Sequence, residues 1–336
     1  MSILNETVAR SAINTLPDTE EKARSSVPGS GAYDAIIIGG GPAGSTAGVY
    51  LARKQIKTLL ISPDLGGQVL WTSDIENYPG YEVISGIELA HHFQEQLKKQ
   101  EIDLKIGDSV VAIHPAKTGG TVLTDKEAEY AYRTLIIASG KRSRPLDVAG
   151  ENALIGRGVT YCATGDGPLF RGEEVAVVGG GNSALTAAIE LLALGCTVHL
   201  VNIMPDLQAD GSLIDKVQLS SDRLTMHLDH EVTEILGDRT VTGITIRNRE
   251  TGELIPLGVT GVFVETGLIP NSTFAKGVVR TNEKNEIMVN CLCETSVPGI
   301  FAAGDVTNVP DKQIVVAAGE GAKAALGVSE YLMRLK

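Results

Sequence analysis

Aromatic side chains are scarce: Phe, Trp and Tyr make up 4% of the 336 residues, with one Trp. Set beside 38 glycines and a 43% apolar content, this points to an α/β protein whose tight turns bring backbone close to ligands. Clusters of Lys and Arg are also missing, and the net charge is -12. Such a chain offers no surface to nucleic acid or an anionic membrane, so small molecules and soluble proteins are the expected partners. No apolar run approaches the roughly 18 residues of a membrane span. The polar N-terminal stretch carries no apolar segment of a secretory signal, so a cytoplasmic location is expected. The four cysteines, at 162, 196, 291 and 293, are too few and too irregular for a secreted disulfide framework or a four-ligand zinc site. No metal is expected, and a disulfide here would be catalytic rather than structural.

The length allows two domains with separate cores. Residues 1–32 sustain no apolar face and read as a mobile extension. From Tyr33 the character changes to a strand, Ala35-Ile36-Ile37-Ile38, then glycines, then a helix-compatible stretch through Leu51. A second unit of the same kind starts near Glu174, where Val175-Ala176-Val177-Val178 runs into Gly179-Gly180-Gly181 and a helix rich in alanine and leucine. Alternating segments such as Val241-Thr242-Gly243-Ile244-Thr245-Ile246 suggest antiparallel strands added to that second layer.

Gly39, Gly41 and Gly44 form G-x-G-x-x-G between the first strand and its helix. There the glycines permit the turn, the approach of a pyrophosphate and close helix packing, with the phosphate charge at the helix N-terminus. The acidic ribose partner expected about 20 residues later is absent. The strand Thr58-Leu59-Leu60-Ile61 ends in Ser62, leaving backbone or Ser62 to meet the adenosine. Asp305, at a strand end, reads on its own as a helix cap or a solvated turn sooner than as a ligand contact.

Gly66-Gly67-Gln68 followed by Glu76-Asn77-Tyr78-Pro79-Gly80 resembles the flavin-contacting segment of low-molecular-weight thioredoxin reductases. Leu135-Ile136-Ile137-Ala138-Ser139-Gly140, Gly299-Ile300-Phe301-Ala302-Ala303-Gly304-Asp305, and Gln313 with Ala317-Ala318-Gly319-Glu320-Gly321 match further motifs of that family in the same order. The resemblance covers about residues 33–333. It implies an α/β fold of two Rossmann-like dinucleotide-binding domains of the three-layer ββα type, the second inserted into the first. The FAD-binding domain would comprise residues 33–148 and 273–336, and the second domain 149–272. It further implies FAD held by Gly39, Gly41, Pro42, Ala43, Gly44, Gly67, Gln68, Asn77, Ala138, Gly140, Gly304, Asp305, Lys312, Gln313 and Ile314, and a homodimer.

Members of that family carry Cys-x-x-Cys-Asp ahead of the second glycine loop, whereas this chain has Cys162-Ala163-Thr164-Gly165-Asp166. Passing electrons from flavin to a protein disulfide needs one thiol to attack and one to resolve. By resemblance the sulfur lost at Gly165 is the flavin-facing one, Cys162 is the attacking thiol, and Asp166 is the proton-transfer acid. Cys291 and Cys293, if on a strand, would point to one face. The blander expectation, favoured here, is two small residues in a loop, with Cys196 in the core.

Gly179, Gly181, Asn182, Ser183 and Ala184 fit G-x-G-x-x-A, a second pyrophosphate site. The family's NADPH reader, a His-Arg-Arg stretch after the next strand, is replaced by Asn202-Ile203-Met204. Losing two charge-assisted contacts weakens NADPH by about a hundredfold to ten-thousandfold. The second site is thus expected to take NADH or a second FAD rather than NADPH, as in ferredoxin-linked or diflavin relatives. The resulting expectation is an FAD-dependent oxidoreductase acting on disulfides with a non-pyridine donor or second flavin, and with a thioredoxin-like or ferredoxin-like partner. An NADH-linked flavoprotein reductase without thiol chemistry and a non-catalytic nucleotide-binding regulator are the alternatives.

Overall fold

The computed structural model describes residues 32–72, 75–219 and 222–335; the extension expected over residues 1–32 falls almost wholly outside them. The chain enters through β1 (Tyr33–Ile38), turns at the glycines into α1 (Pro42–Arg53) and returns as β2 (Thr58–Ser62). α2 (Gly86–Lys98) leads to β3 (Asp103–Ile106), and β4 (Val110–Pro115), β5 (Gly120–Thr124) and β6 (Glu129–Ile137) follow as a meander. The sheet order is β3-β2-β1-β6-β5-β4, with β1 parallel to both β2 and β6. Ile36 and Ile37 are fully buried, as a parallel strand covered on both faces requires.

β7 (Lys141–Ser143) leads out of this layer, and β8 (Val159–Thr160), β9 (Glu174–Val178), α3 (Asn182–Ala193), β10 (Thr197–Asn202), α4 (Gly211–Leu219) and β11 (Leu224–Leu228) begin the second. β12 (His230–Gly237), β13 (Val241–Asn248) and β14 (Leu254–Leu257) form a separate antiparallel sheet, as their alternation predicts. β15 (Gly261–Val264) then returns between β9 and β8, completing the parallel order β11-β10-β9-β15-β8.

β16 (Leu268–Pro270) pairs antiparallel with β7, so the chain leaves and re-enters the first layer at one place. β17 (Ile300–Ala302) then joins the first sheet beside the end of β6, and α5 (Ile314–Arg334) closes the structure. β6 is long enough to serve twice, pairing with β5 at its start and with β17 at its end. α5 lies against α1 with almost no gap. A Cβ on Gly321 would stand 2.0 Å from Ala43 O, and Ala47, Leu51, Ala324, Ala325, Val328 and Leu332 fill one shared core. Small residues let the two backbones approach, which places the N-termini of both helices beside the first glycine turn. No helix among the described residues is long and apolar enough to cross a membrane.

Candidate functional site

The first glycine turn needs its glycines for different reasons. A Cβ on Gly39, whose φ is +107°, would stand 2.3 Å from Ala138 O, and one on Gly44 1.8 Å from Gly39 O. A Cβ on Gly41 would meet nothing nearer than Gly66 O at 3.9 Å. Gly39 and Gly44 therefore hold the turn together, while Gly41 and Gly67 line an open approach above the N-terminus of α1. No side chain caps that terminus, and Pro42 sets its first turn. Its backbone N–H groups and dipole suit a pyrophosphate. Ser62 is buried and its Oγ accepts the Gly40 N–H at 2.8 Å, so that oxygen fastens the turn from below.

The other residues expected at the flavin come to the same place from distant parts of the chain. Asn77 Nδ2 donates to Gln313 Oε1 at 3.3 Å, tying the loop after β2 to the start of α5, and Ile314 packs with Val69 and Tyr78. Gly67, preceding Gln68, receives the Asp64 carboxylate on its N–H at 2.8 Å. A Cβ on Gly304 would lie 3.0 Å from that of Ala43, and the Gly304 N–H donates to the buried Glu320 carboxylate at 2.8 Å. Gly140 adopts φ +66° with open space where a Cβ would be. The open glycine faces and the uncapped helix end are chemically suited to the pyrophosphate of a dinucleotide such as FAD.

Asp305 is half-buried; burial pushes its acid up, and Lys312 and Lys141 pull it back. Burial and then Lys141 hold Lys312 below the usual lysine range, and its Nζ donates to Thr307 O at 2.6 Å. Lys141 Nζ lies 2.5 Å from Glu286 Oε1, and Lys312 Nζ 3.6 Å from the same oxygen. The sequence reading missed Lys141 and Glu286, since nothing local marks residues paired across 145 positions.

Cys162 stands in the second layer at the head of a one-turn helix, Ala163–Asp166, and its Sγ accepts the Gly165 N–H at 3.3 Å. Burial, followed by the charges of Asp166, Glu265 and Glu190, pushes the thiol up to about 11. Roughly one molecule in ten thousand then carries the thiolate at neutral pH. Asp166 accepts a hydrogen bond from the Thr160 hydroxyl. All four cysteines are free. Cys291 and Cys293 do not alternate on a strand. They sit in a turn, Cys291 exposed and Cys293 buried at φ +62° with its Sγ 3.7 Å from Glu320 O. Cys196 is core, with its Sγ 3.0 Å from Phe170 O.

The second glycine turn repeats the first, at the uncapped N-terminus of α3. Gln208 N–H bonds Gly180 O at 2.8 Å, and Asn182 exchanges two hydrogen bonds with Asp210. Asn202 is buried against Gly180, where an added Cβ would stand 2.5 Å from its amide. Both Nδ2 hydrogens are spent on Met204 O and Asp206 O, leaving Oδ1 as its polar atom for a ligand. No group of three or more His, Cys, Asp or Glu among the described residues is arranged to hold a metal.

Two parallel layers, each with a glycine turn at a helix N-terminus, define an α/β fold with thioredoxin reductase-like architecture. The chain belongs to the pyridine nucleotide-disulphide oxidoreductase family, whose model matches residues 33–321. It is similar to alkyl hydroperoxide reductase F of Escherichia coli (strain K12), 40% identical over 321 residues that cover 94% of this chain and 61% of that protein. The counterpart in Pseudomonas putida is 42% identical over 306 residues, 90% of this chain and 59% of that one. The chain thus spans about three fifths of the length of these curated relatives. The solved thioredoxin reductase from Streptococcus pyogenes MGAS5005 is 39% identical with a TM-score of 0.85, covering 90% of this chain and 99% of that one.

Proposed function

We propose that the chain is an FAD-dependent oxidoreductase whose second site takes an adenine dinucleotide without selecting NADPH, and in which Cys162 is not a two-thiol relay. The observation that carries this is Gly165, which stands where a partner sulfur belongs and leaves a thiol held protonated by burial and three carboxylates. When bound, FAD supplies the capacity to take up two electrons and release them singly or together. The chain's own residues orient it: Gly39, Gly41 and Gly44 seat the pyrophosphate, Asp305 fixes the ribityl end, and Asn77 and Gln313 border the ring.

At the second turn, Gly179, Gly181, Asn182, Ser183 and Ala184 seat another pyrophosphate. Asn202 offers a neutral acceptor where a 2′-phosphate would need a cation, which supports NADH or a second FAD over NADPH. Similarity to alkyl hydroperoxide reductase and thioredoxin reductase supports a disulfide-bearing protein partner and a second domain over residues 149–272 set into the first.

The test is the absorption spectrum of the purified full chain, followed by stopped-flow mixing with NADH, NADPH and reduced ferredoxin. A flavin spectrum, reduced no faster by NADPH than by NADH, is expected. A colourless protein that regains no flavin spectrum when given FAD overturns the reading, and preferential reduction by NADPH overturns the specificity.

A further inference from the structure

The two glycine turns share one backbone plan and can be compared within a single chain. Gly39 N–H donates to Ile61 O at 2.9 Å and Gly179 N–H to Val201 O at 2.9 Å. Ala138 N–H donates to Ile38 O at 2.8 Å, and Glu265 N–H to Val178 O at 2.8 Å. An added Cβ on Gly39 would stand 2.3 Å from Ala138 O, and one on Gly179 2.4 Å from Glu265 O. Ala138 and Glu265 therefore occupy one position, the first residue beyond the strand on the far side of the glycine strand. In each sheet this is where the chain order reverses, between β1 and β6 or between β9 and β15. Ligands of open parallel sheets settle in that crevice. The first site presents a methyl group there; the second presents a carboxylate.

Glu265 is held in place by the Ser183 hydroxyl, on the first turn of α3, and by the Ala163 N–H, both donating to its carboxylate. Glu190 faces it from α3, and Cys162, on which Asp166 also acts, faces it from the one-turn helix. β9 carries Glu174 at its opposite end, paired with His199 at 2.8 Å, and its glycine turn brings no titratable group. Arg144 approaches through its backbone: the Thr266 hydroxyl donates to its carbonyl at 2.7 Å and its N–H donates to Gly267 O at 3.0 Å. Burial, reinforced by Glu190, pushes the Glu265 acid up to about 7 against the two hydrogen bonds that favour its anion. The charge at this strand end thus changes across neutral pH.

We propose that Glu265 is a charge gate of the second dinucleotide site, opposing a pyrophosphate at Gly179–Ser183 when ionised and admitting it when protonated. This rests on the reading of that turn as a dinucleotide site and adds what sets its affinity. Binding takes up a proton, so affinity falls by up to about tenfold per pH unit above the free-state titration. NADH and FAD share an adenosine diphosphate moiety, and ADP-ribose presents it without reducing the flavin.

The experiment is calorimetric titration of the full chain carrying one FAD per chain with ADP-ribose between about pH 6 and pH 8.5, in buffers of different ionisation heat. The wild type is expected to weaken as pH rises, with proton uptake on binding. Glu265→Gln is expected to bind independently of pH and about tenfold more tightly than wild type at the alkaline end. Ser183→Ala, which removes a donor to the anion, should move the wild-type midpoint to higher pH; it decides the matter if Glu265→Gln does not fold. Wild-type pH dependence persisting in Glu265→Gln, or an unmoved midpoint in Ser183→Ala, overturns the gate while leaving the dinucleotide site standing. Absence of ADP-ribose binding by every variant at every pH overturns the dinucleotide reading and the gate with it.

Discussion

Restoring the missing sulfur tests how much of a two-thiol centre the backbone retains. A Cβ built on Gly165 lies 3.8 Å from the Cys162 Cβ and 3.2 Å from its Sγ. Disulfides have Cβ–Cβ separations averaging about 3.8 Å, so Gly165→Cys should oxidise without backbone movement. Residue 165 lies in the one-turn helix and has no left-handed φ to oppose a side chain. Closing a ring of four residues removes denatured-state entropy worth about 2 kcal/mol. Thiol titration of the unfolded proteins is the direct assay. The wild type has four free cysteines, and the oxidised variant should show two fewer thiols than its reduced form. Anaerobic dithionite titration should then consume about two more electrons per chain than the wild type. Equal thiol counts in the oxidised and reduced variant would refute the inference that the backbone still fits a disulfide.

The two roles of glycine separate by substitution. Gly44→Val should lower stability by about 3 kcal/mol or more through its clash with Gly39 O, whereas Gly41→Val should keep its melting temperature and lose flavin. Lys141→Met leaves Glu286 with only the longer Lys312 contact and the Asn282 amide, in a pair whose side chains are only 7% and 11% exposed, and should cost about 1.5–3 kcal/mol in urea unfolding. Adding Glu286→Leu should recover most of that loss. His227 stacks on His199, with their ring nitrogens 3.1 Å apart, and burial followed by its histidine neighbours pushes it down to about 4. The unfolded chain takes up this proton near its ordinary value of about 6.5 and the folded chain only later, so stability is lost as pH falls from there toward 4. His227→Gln should reduce that loss in unfolding midpoints measured across the window.

The two strand–glycine–helix units, the alternating strands over Val241–Asn248 and the substitution at Gly165 were legible because each is a short-range pattern. A strand run, a turn that only glycine accommodates and a missing thiol are complete within a few residues, and close packing of Ala43 against Gly321 follows from the same small side chains. Tertiary structure alone decided how those pieces meet. Asn202, at the end of β10, uses its amide hydrogens to close its own loop. Cys291 and Cys293 were separated by a left-handed turn. Lys141 found Glu286, and Asn77 found Gln313, because β17 and α5 return to the first layer. Most telling is Glu265, an unremarked acid in the sequence. The order β10-β9-β15 sets it against Gly179, where the first layer has Ala138. Local patterns encode the backbone of a nucleotide turn, whereas the charge inside its crevice depends on which distant strand pairs beside it.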